Sequence, residues 1–210
     1  MSAPSERTPG SSLPVRGAAP LLNIANALTC LRLLLVPVFV VVLFTDGGTD
    51  TRWRLAAFAV FAVAAFTDRL DGQLARRRGL VTWFGALADP IADKALTGAA
   101  FIGLSILGQV PWWITVVIMG REIGITVMRL WVVRRGTVIP ASRGGKAKTA
   151  AQTLAIGLLL LPVLPSIATA MVAVQWVALL VALVLTVVTG VDYVVRALRA
   201  PAASGSPVDG

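Results

Sequence analysis

Between residues 68 and 93 the chain carries four aspartates in two pairs, Asp68 with Asp71 and Asp89 with Asp93, out of only ten acidic residues in 210. Gly72, Ala75, Arg76 and Gly85 stand among them. On a helix, Asp68, Asp71, Gly72, Ala75 and Arg76 fall at i, i+3, i+4, i+7 and i+8, which is one face. Gly85, Asp89 and Asp93 share a second face, each one turn after the last. Four converging carboxylates repel one another unless cations sit among them. Hard divalent cations accept all-oxygen ligation, and Mg²⁺ or Mn²⁺ suits carboxylates combined with phosphate oxygens. Small residues on the same face leave room for a bulky group, and Arg76 can fork onto phosphate. The competing explanation, local pairing with Arg69 and Lys94 that merely locks helices, does not account for two helical pairs flanking small residues. The chain has no histidine, so proton transfer falls to carboxylates, lysines, arginines or hydroxyls.

These residues must be positioned inside an apolar chain. Hydrophobic residues make up 57% and charged residues 14%, against about a quarter charged in soluble domains, and the mean hydropathy is +0.82. Apolar runs near the roughly 20 residues needed to cross a bilayer recur along the sequence. Breakers and charges divide them into six expected transmembrane helices, roughly 23–44, 54–76, 82–107, 111–134, 147–164 and 167–197. The fold class expected is therefore an all-α integral membrane protein. Residues 1–20 and 199–210, rich in Ser, Pro, Gly and Ala, read as disordered tails around one domain over 21–198. Cys30 lies in an apolar run and reads as a small packing residue.

Basic residues set the expected orientation. Arg76, Arg77 and Arg78 lie between the second and third spans, and Arg134, Arg135, Arg143, Lys146 and Lys148 between the fourth and fifth. The opposite connections hold only Arg52 and Arg54, beside Asp46 and Asp50. The positive-inside rule then places both termini and the aspartates at the cytoplasmic face, in the plasma or inner membrane of a bacterium. The formal charge of +9 suits contact with anionic membrane lipid. It does not point to nucleic acid, because the charges flank apolar spans.

The pattern Asp68-x2-Asp71-Gly72-x2-Ala75-Arg76-x8-Gly85-x3-Asp89-x3-Asp93 resembles the signature of the CDP-alcohol phosphatidyltransferase family at every fixed position. The resemblance implies six transmembrane helices, usually a homodimer, two divalent cations per site, and displacement of CMP from a CDP-linked lipid by an alcohol. It implies metal ligation by Asp68, Asp71 and Asp89. For Asp93 it implies a ligand that is also the base for the attacking hydroxyl. Asp71, Gly72, Ala75 and Arg76 match the family segment that holds the CDP group. Asn26 and Thr29 are further candidates for the nucleotide, with helix capping as the alternative.

The flanking segments "NIANALTCLRLLLVPVF", "REI" and "GKAKTAAQ" are similar to the branch of this family that uses glycerol 3-phosphate as acceptor. That likeness spans roughly residues 21–198 and implies that CDP-diacylglycerol and glycerol 3-phosphate yield phosphatidylglycerol phosphate and CMP. Ala25 departs from the proline that many relatives carry, but Asn23, Asn26, Thr29 and Arg32 stay in register. Arg121, Arg129, Arg143, Lys146 and Lys148 are the candidate acceptor-phosphate residues, since phosphate favours converging cationic donors. Two blander roles compete: Arg121 paired with Glu122 or a site aspartate, and Lys146 and Lys148 as positive-inside anchors. Asp192 and Arg196 read as a structural i, i+4 pair, and the tryptophans as interfacial anchors. The alternative functions are a sibling enzyme using inositol phosphate or phosphatidylglycerol, and, more distantly, a cation or proton transporter. A transporter is disfavoured because the acidic groups cluster near one face and no inverted repeat is discernible.

Overall fold

The computed structural model describes residues 24–78, 83–134 and 143–199, with side chains at 30–67, 94–129, 131 and 144–199. Six α-helices account for most of these residues: α1 Ile24–Phe44, α2 Thr51–Arg78, α3 Trp83–Ile106, α4 Trp112–Arg134, α5 Arg143–Leu160 and α6 Ala168–Arg199. Among the described residues the fold is all-α, and the helices fall in the order expected from sequence. Two stretches, Cys30–Gly48 and Pro165–Arg199, are apolar and long enough to cross a membrane by length and composition alone. The second, third and fourth helices each carry internal charges, such as Arg54 and Asp68, Lys94, and Arg121 with Glu122, and the fifth carries Lys148.

The connections explain the helix ends. After α1 the chain turns through Asp46, Gly47 and Gly48, all at positive φ (51°, 64° and 71°), a region glycine enters at little cost. The Asp50 carboxylate then accepts the backbone N–H groups of Arg52 and Trp53 at 2.7 and 3.3 Å. That satisfies two otherwise orphaned donors and starts α2. Gly108, at φ 71°, and Pro111 separate α3 from α4, while Pro162 and Pro165 separate α5 from α6.

One apolar core runs through the bundle. Phe39 and Leu43 of α1, Phe61 of α2, Phe101 and Leu104 of α3, Ile114 and Ile118 of α4, Ile156 and Leu160 of α5, and Leu179 of α6 are all buried in it. The Phe39 and Phe61 rings lie 5.9 Å apart in a tilted pair, a favoured aromatic geometry. Gly103 lets α1 come close, since a Cβ there would lie 2.6 Å from Leu43 Cδ2.

Much of the outer surface is apolar as well. Leu34, Val41, Val116, Val127, Val177 and Leu198 are all exposed. Apolar surface on this scale is rare on soluble monomers and is the arrangement lipid requires. Trp53, Trp112, Trp113 and Trp176 are exposed towards the end where α2, α4 and α6 begin, and Trp131 near the other end of α4. This distribution fits interfacial anchoring. Cys30 is exposed, so it is not the packing residue expected of it; its helix turns it outwards.

Polar side chains link the helices where lipid supplies no solvent. Ser105 and Thr115 share a buried hydrogen bond of 2.7 Å between α3 and α4. Gln152 of α5 donates to Thr186 of α6 at 2.9 Å, and Gln175 of α6 donates to the Leu158 carbonyl of α5 at 2.8 Å. At the end formed by the α1–α2, α3–α4 and α5–α6 connections, Arg54 is 8% exposed. Its guanidinium donates to the Gly48 carbonyl at 3.2 Å, to Gln109 Oε1 at 2.9 Å and to the Leu159 carbonyl at 2.5 Å. One side chain therefore ties the α1–α2 and α3–α4 connections to the last turn of α5. Arg54 is thus no loop charge, and of the two arginines at this end only Arg52 is exposed.

Candidate functional site

α2 and α3 pack against each other and carry the aspartates towards the end away from Arg54. Asp71 precedes Arg78, the last residue of α2, by seven positions, and Asp89 follows Trp83, the first of α3, by six. At 1.5 Å per residue both lie roughly 9–10 Å inside their helix ends. Asp68, Asp71, Gly72, Ala75 and Arg76 thus belong to one helix, and Gly85, Asp89 and Asp93 to its neighbour. Their side chains, with those of Asn26, Thr29 and Arg143, lie outside the described ones. Among the described residues no group of three acidic, cysteine or histidine side chains could hold a metal. The donor set that fits Mg²⁺ or Mn²⁺ is the aspartate quartet, four hard oxygen donors on two adjacent helices.

Directly beyond Asp93 the described side chains begin, with a lysine at Lys94. Lys94 and Thr97 of α3, Met119 and Glu122 of α4, and Lys148, Thr149 and Gln152 of α5 line one small pocket of about 20 Å³, room for about one water molecule. Lys148 is 6% exposed, and its ammonium donates to Glu122 Oε1. Arg121 Nη1 donates to the same Oε1 at 3.3 Å, and Arg121 Nη2 donates to Thr189 Oγ1 of α6 at 3.0 Å. Burial of this kind requires a counter-ion, because an isolated charge in an apolar interior is costly.

Helix α6 makes room for Arg121. A Cβ at Gly190 would meet Arg121 Cγ at 3.0 Å and Nε at 3.1 Å, so glycine lets the arginine stem lie across α6. Thr189 is held in turn by its hydroxyl, which donates to the Leu185 carbonyl at 2.6 Å. Two turns further along α4, Arg129 lies over the Tyr193 ring at 5.7 Å, a cation–π distance.

The five acceptor-phosphate candidates therefore separate. Arg121 and Lys148 meet at one carboxylate. Arg129 is exposed and stacked on Tyr193, and Lys146 is exposed, two residues from Lys148 and so on another face of α5. The pairing of Arg121 with Glu122, weighed as the blander role, is present, but it extends to Lys148. Anchoring does not suit Lys148, which is buried. Sequence reasoning gave Glu122 no role of its own. The available signal was an acidic residue within an apolar span, flanked by an arginine and followed by basic residues at the start of the next helix. Arg196 and Asp192 form the expected i, i+4 pair at 2.9 Å.

Residues 22–188 match the CDP-alcohol phosphatidyltransferase family model, and the chain belongs to that family. With its lipid-suited apolar surface, it is a membrane protein. Over 185 residues it is 56% identical to a protein of Mycobacterium tuberculosis strain H37Rv named as a probable phosphatidylglycerophosphate synthase, covering 88% of this chain and 86% of that one. A CDP-diacylglycerol–glycerol-3-phosphate 3-phosphatidyltransferase of Bacillus subtilis strain 168 is 37% identical over 180 residues, covering 81% of this chain and 93% of the relative. The Escherichia coli K12 protein of the same name is 40% identical over 144 residues, 66% of this chain and 76% of its own.

Proposed function

We propose that this enzyme transfers the phosphatidyl group of CDP-diacylglycerol to glycerol 3-phosphate, releasing CMP and phosphatidylglycerol phosphate. What supports the acceptor is the meeting of Arg121 and Lys148 in a buried cationic cluster that begins one residue beyond Asp93, in a chain similar along most of its length to enzymes named for this reaction.

In this reading Asp68, Asp71, Asp89 and Asp93 hold two Mg²⁺ or Mn²⁺ ions, which when bound supply positive charge for the pyrophosphate and the departing phosphate. The Asp71, Gly72, Ala75 and Arg76 face receives the CDP group, with Asn26 and Thr29 beside it. A carboxylate oxygen of Asp93 takes the proton of the acceptor hydroxyl. That hydroxyl oxygen bonds to the phosphatidyl phosphorus as the bond from phosphorus to the bridging oxygen breaks, and CMP leaves with the electron pair. Arg121 and Lys148 take the acceptor phosphate, with Arg129, Arg143 and Lys146 forming the cationic approach. All six helices cross the bilayer, and both termini and the site face the cytoplasm. The enzyme works as a homodimer in contact with anionic lipid. Burial of Arg54 strengthens the charge asymmetry behind this orientation, since it removes one positive charge from the opposite surface.

The test offers purified enzyme CDP-diacylglycerol, divalent metal and one acceptor at a time. CMP release with glycerol 3-phosphate, and phosphatidylglycerol phosphate as product, is the expected result. Turnover only with inositol phosphate or phosphatidylglycerol would move the chain to a sibling activity, and ion flux without CMP release would make it a transporter.

A further inference from the structure

The carboxylate between Arg121 and Lys148 has no part in the chemistry above, yet among the described residues it joins α4 to α5 through a charged hydrogen bond. Both cations direct a nitrogen at the same atom, Glu122 Oε1. Two nitrogens that share one hydrogen-bonded oxygen are no more than about 6 Å apart. A phosphate group, with oxygens on several sides, can bridge donors at that separation. The pocket among Lys94, Glu122 and Lys148 has room for about one water, so a phosphate does not enter between Glu122 and its partners. It meets the outward N–H groups of the same cations instead. Three cations, Lys94, Arg121 and Lys148, surround one carboxylate, which leaves the cluster positive enough for a phosphate dianion.

We propose that Glu122 is the positioning residue of the acceptor pocket: from behind, it holds Arg121 of α4 and Lys148 of α5 close enough for one phosphate to bridge, without touching the acceptor. The proposal rests on the reading that these two cations receive the acceptor phosphate. Its electrostatic consequence has a definite sign. A simple counter-ion would compete with phosphate, so neutralising it would tighten binding. A positioning residue acts oppositely, because without it the Lys148 ammonium and the Arg121 guanidinium lose the oxygen that aligns them.

The experiment compares wild type, Glu122→Gln and Glu122→Asp in full-length, detergent-purified protein, with Lys148→Met and the Glu122→Gln/Lys148→Met double variant alongside. For Glu122→Gln, the KM for glycerol 3-phosphate rises about tenfold, and kcat and the KM for CDP-diacylglycerol stay within about twofold. Glu122→Asp keeps the charge but sits one methylene short and shows an intermediate rise of about threefold. In the Lys148→Met background, Glu122→Gln adds little, the non-additivity expected of residues that act through one another. An unchanged or lowered KM in either Glu122 variant overturns the proposal, as does full additivity with Lys148→Met. If Glu122→Gln does not fold, the aspartate variant alone decides. If wild type turns over only another phosphate-bearing acceptor, the functional reading fails, and the same comparison made on that acceptor still tests Glu122.

Discussion

Replacing Arg54 by methionine removes the side chain that fastens the α1–α2 and α3–α4 connections to the last turn of α5, at the end of the bundle away from the aspartates. Methionine is flexible enough to fill much of the same space, so the loss is mainly of hydrogen bonds. Two carbonyls, of Gly48 and Leu159, and the Gln109 side-chain oxygen lose their donor. A buried acceptor left unsatisfied costs about 1–3 kcal/mol. The bond to Gln109 is only partly buried, so water can replace the guanidinium there, whereas the bonds to the two carbonyls are buried and carry most of the penalty. Removing a buried charge returns part of it. A net loss of about 2–4 kcal/mol follows from these opposing effects. For a chain of this size that lowers the midpoint of thermal unfolding by roughly 5–15 °C. The assay is unfolding of purified protein in mild detergent, read by loss of monodisperse protein after heating, with Arg54→Lys as a second variant. An ammonium has three donors but carries them on one nitrogen, whereas the guanidinium reaches its three acceptors from two, so the lysine variant falls between wild type and Arg54→Met. Specific activity of the surviving fraction stays at the wild-type level, since Arg54 and Asp71 are seventeen helical positions apart, about 25 Å. A midpoint within about 2 °C of wild type would refute the claim that these connections depend on the guanidinium.

Asp93→Asn abolishes CMP release while the protein still folds and still binds CDP-diacylglycerol in an equilibrium assay; retained turnover would remove Asp93 as the base. Stripping divalent metal with a chelator stops turnover, and added Mg²⁺ or Mn²⁺ restores it; turnover in metal-free buffer would sink the assignment of the aspartates. Gly190→Leu pushes a branched side chain into space that Arg121 occupies at 3.0–3.1 Å from the would-be Cβ. It raises the KM for glycerol 3-phosphate at least several-fold with a smaller change in kcat, and an unchanged KM would show that α6 does not set the position of Arg121.

Helix order could be read from apolar runs and breakers because those are local properties. The ends shifted where local signals misled. The segment "RGGKAK" looked like a linker because glycine weakens helices, yet α5 begins at Arg143, four residues before the expected start, and stops at Leu160 ahead of its prolines. The roles of Arg54, Gln152, Gln175 and Glu122 were not legible, because each depends on a partner from another helix. Charge near the end of a span says only that it can reach water, and Arg54 instead turns inwards. For Lys148 the sequence left anchoring and ligand binding open, and its burial against Glu122 speaks against anchoring. The aspartate pattern was the reverse case: its fixed residue types and gaps carried enough information to show the family.

The bonds that join α6 to its neighbours also impose a schedule. Until α6 packs, Gln152 and the Leu158 carbonyl lack their partners, and Arg121 lacks Thr189. A nascent chain halted after α5 would carry those groups unanswered in hydrocarbon. Such a truncated chain would expose that polarity, and the bundle would be complete only once α6 had docked.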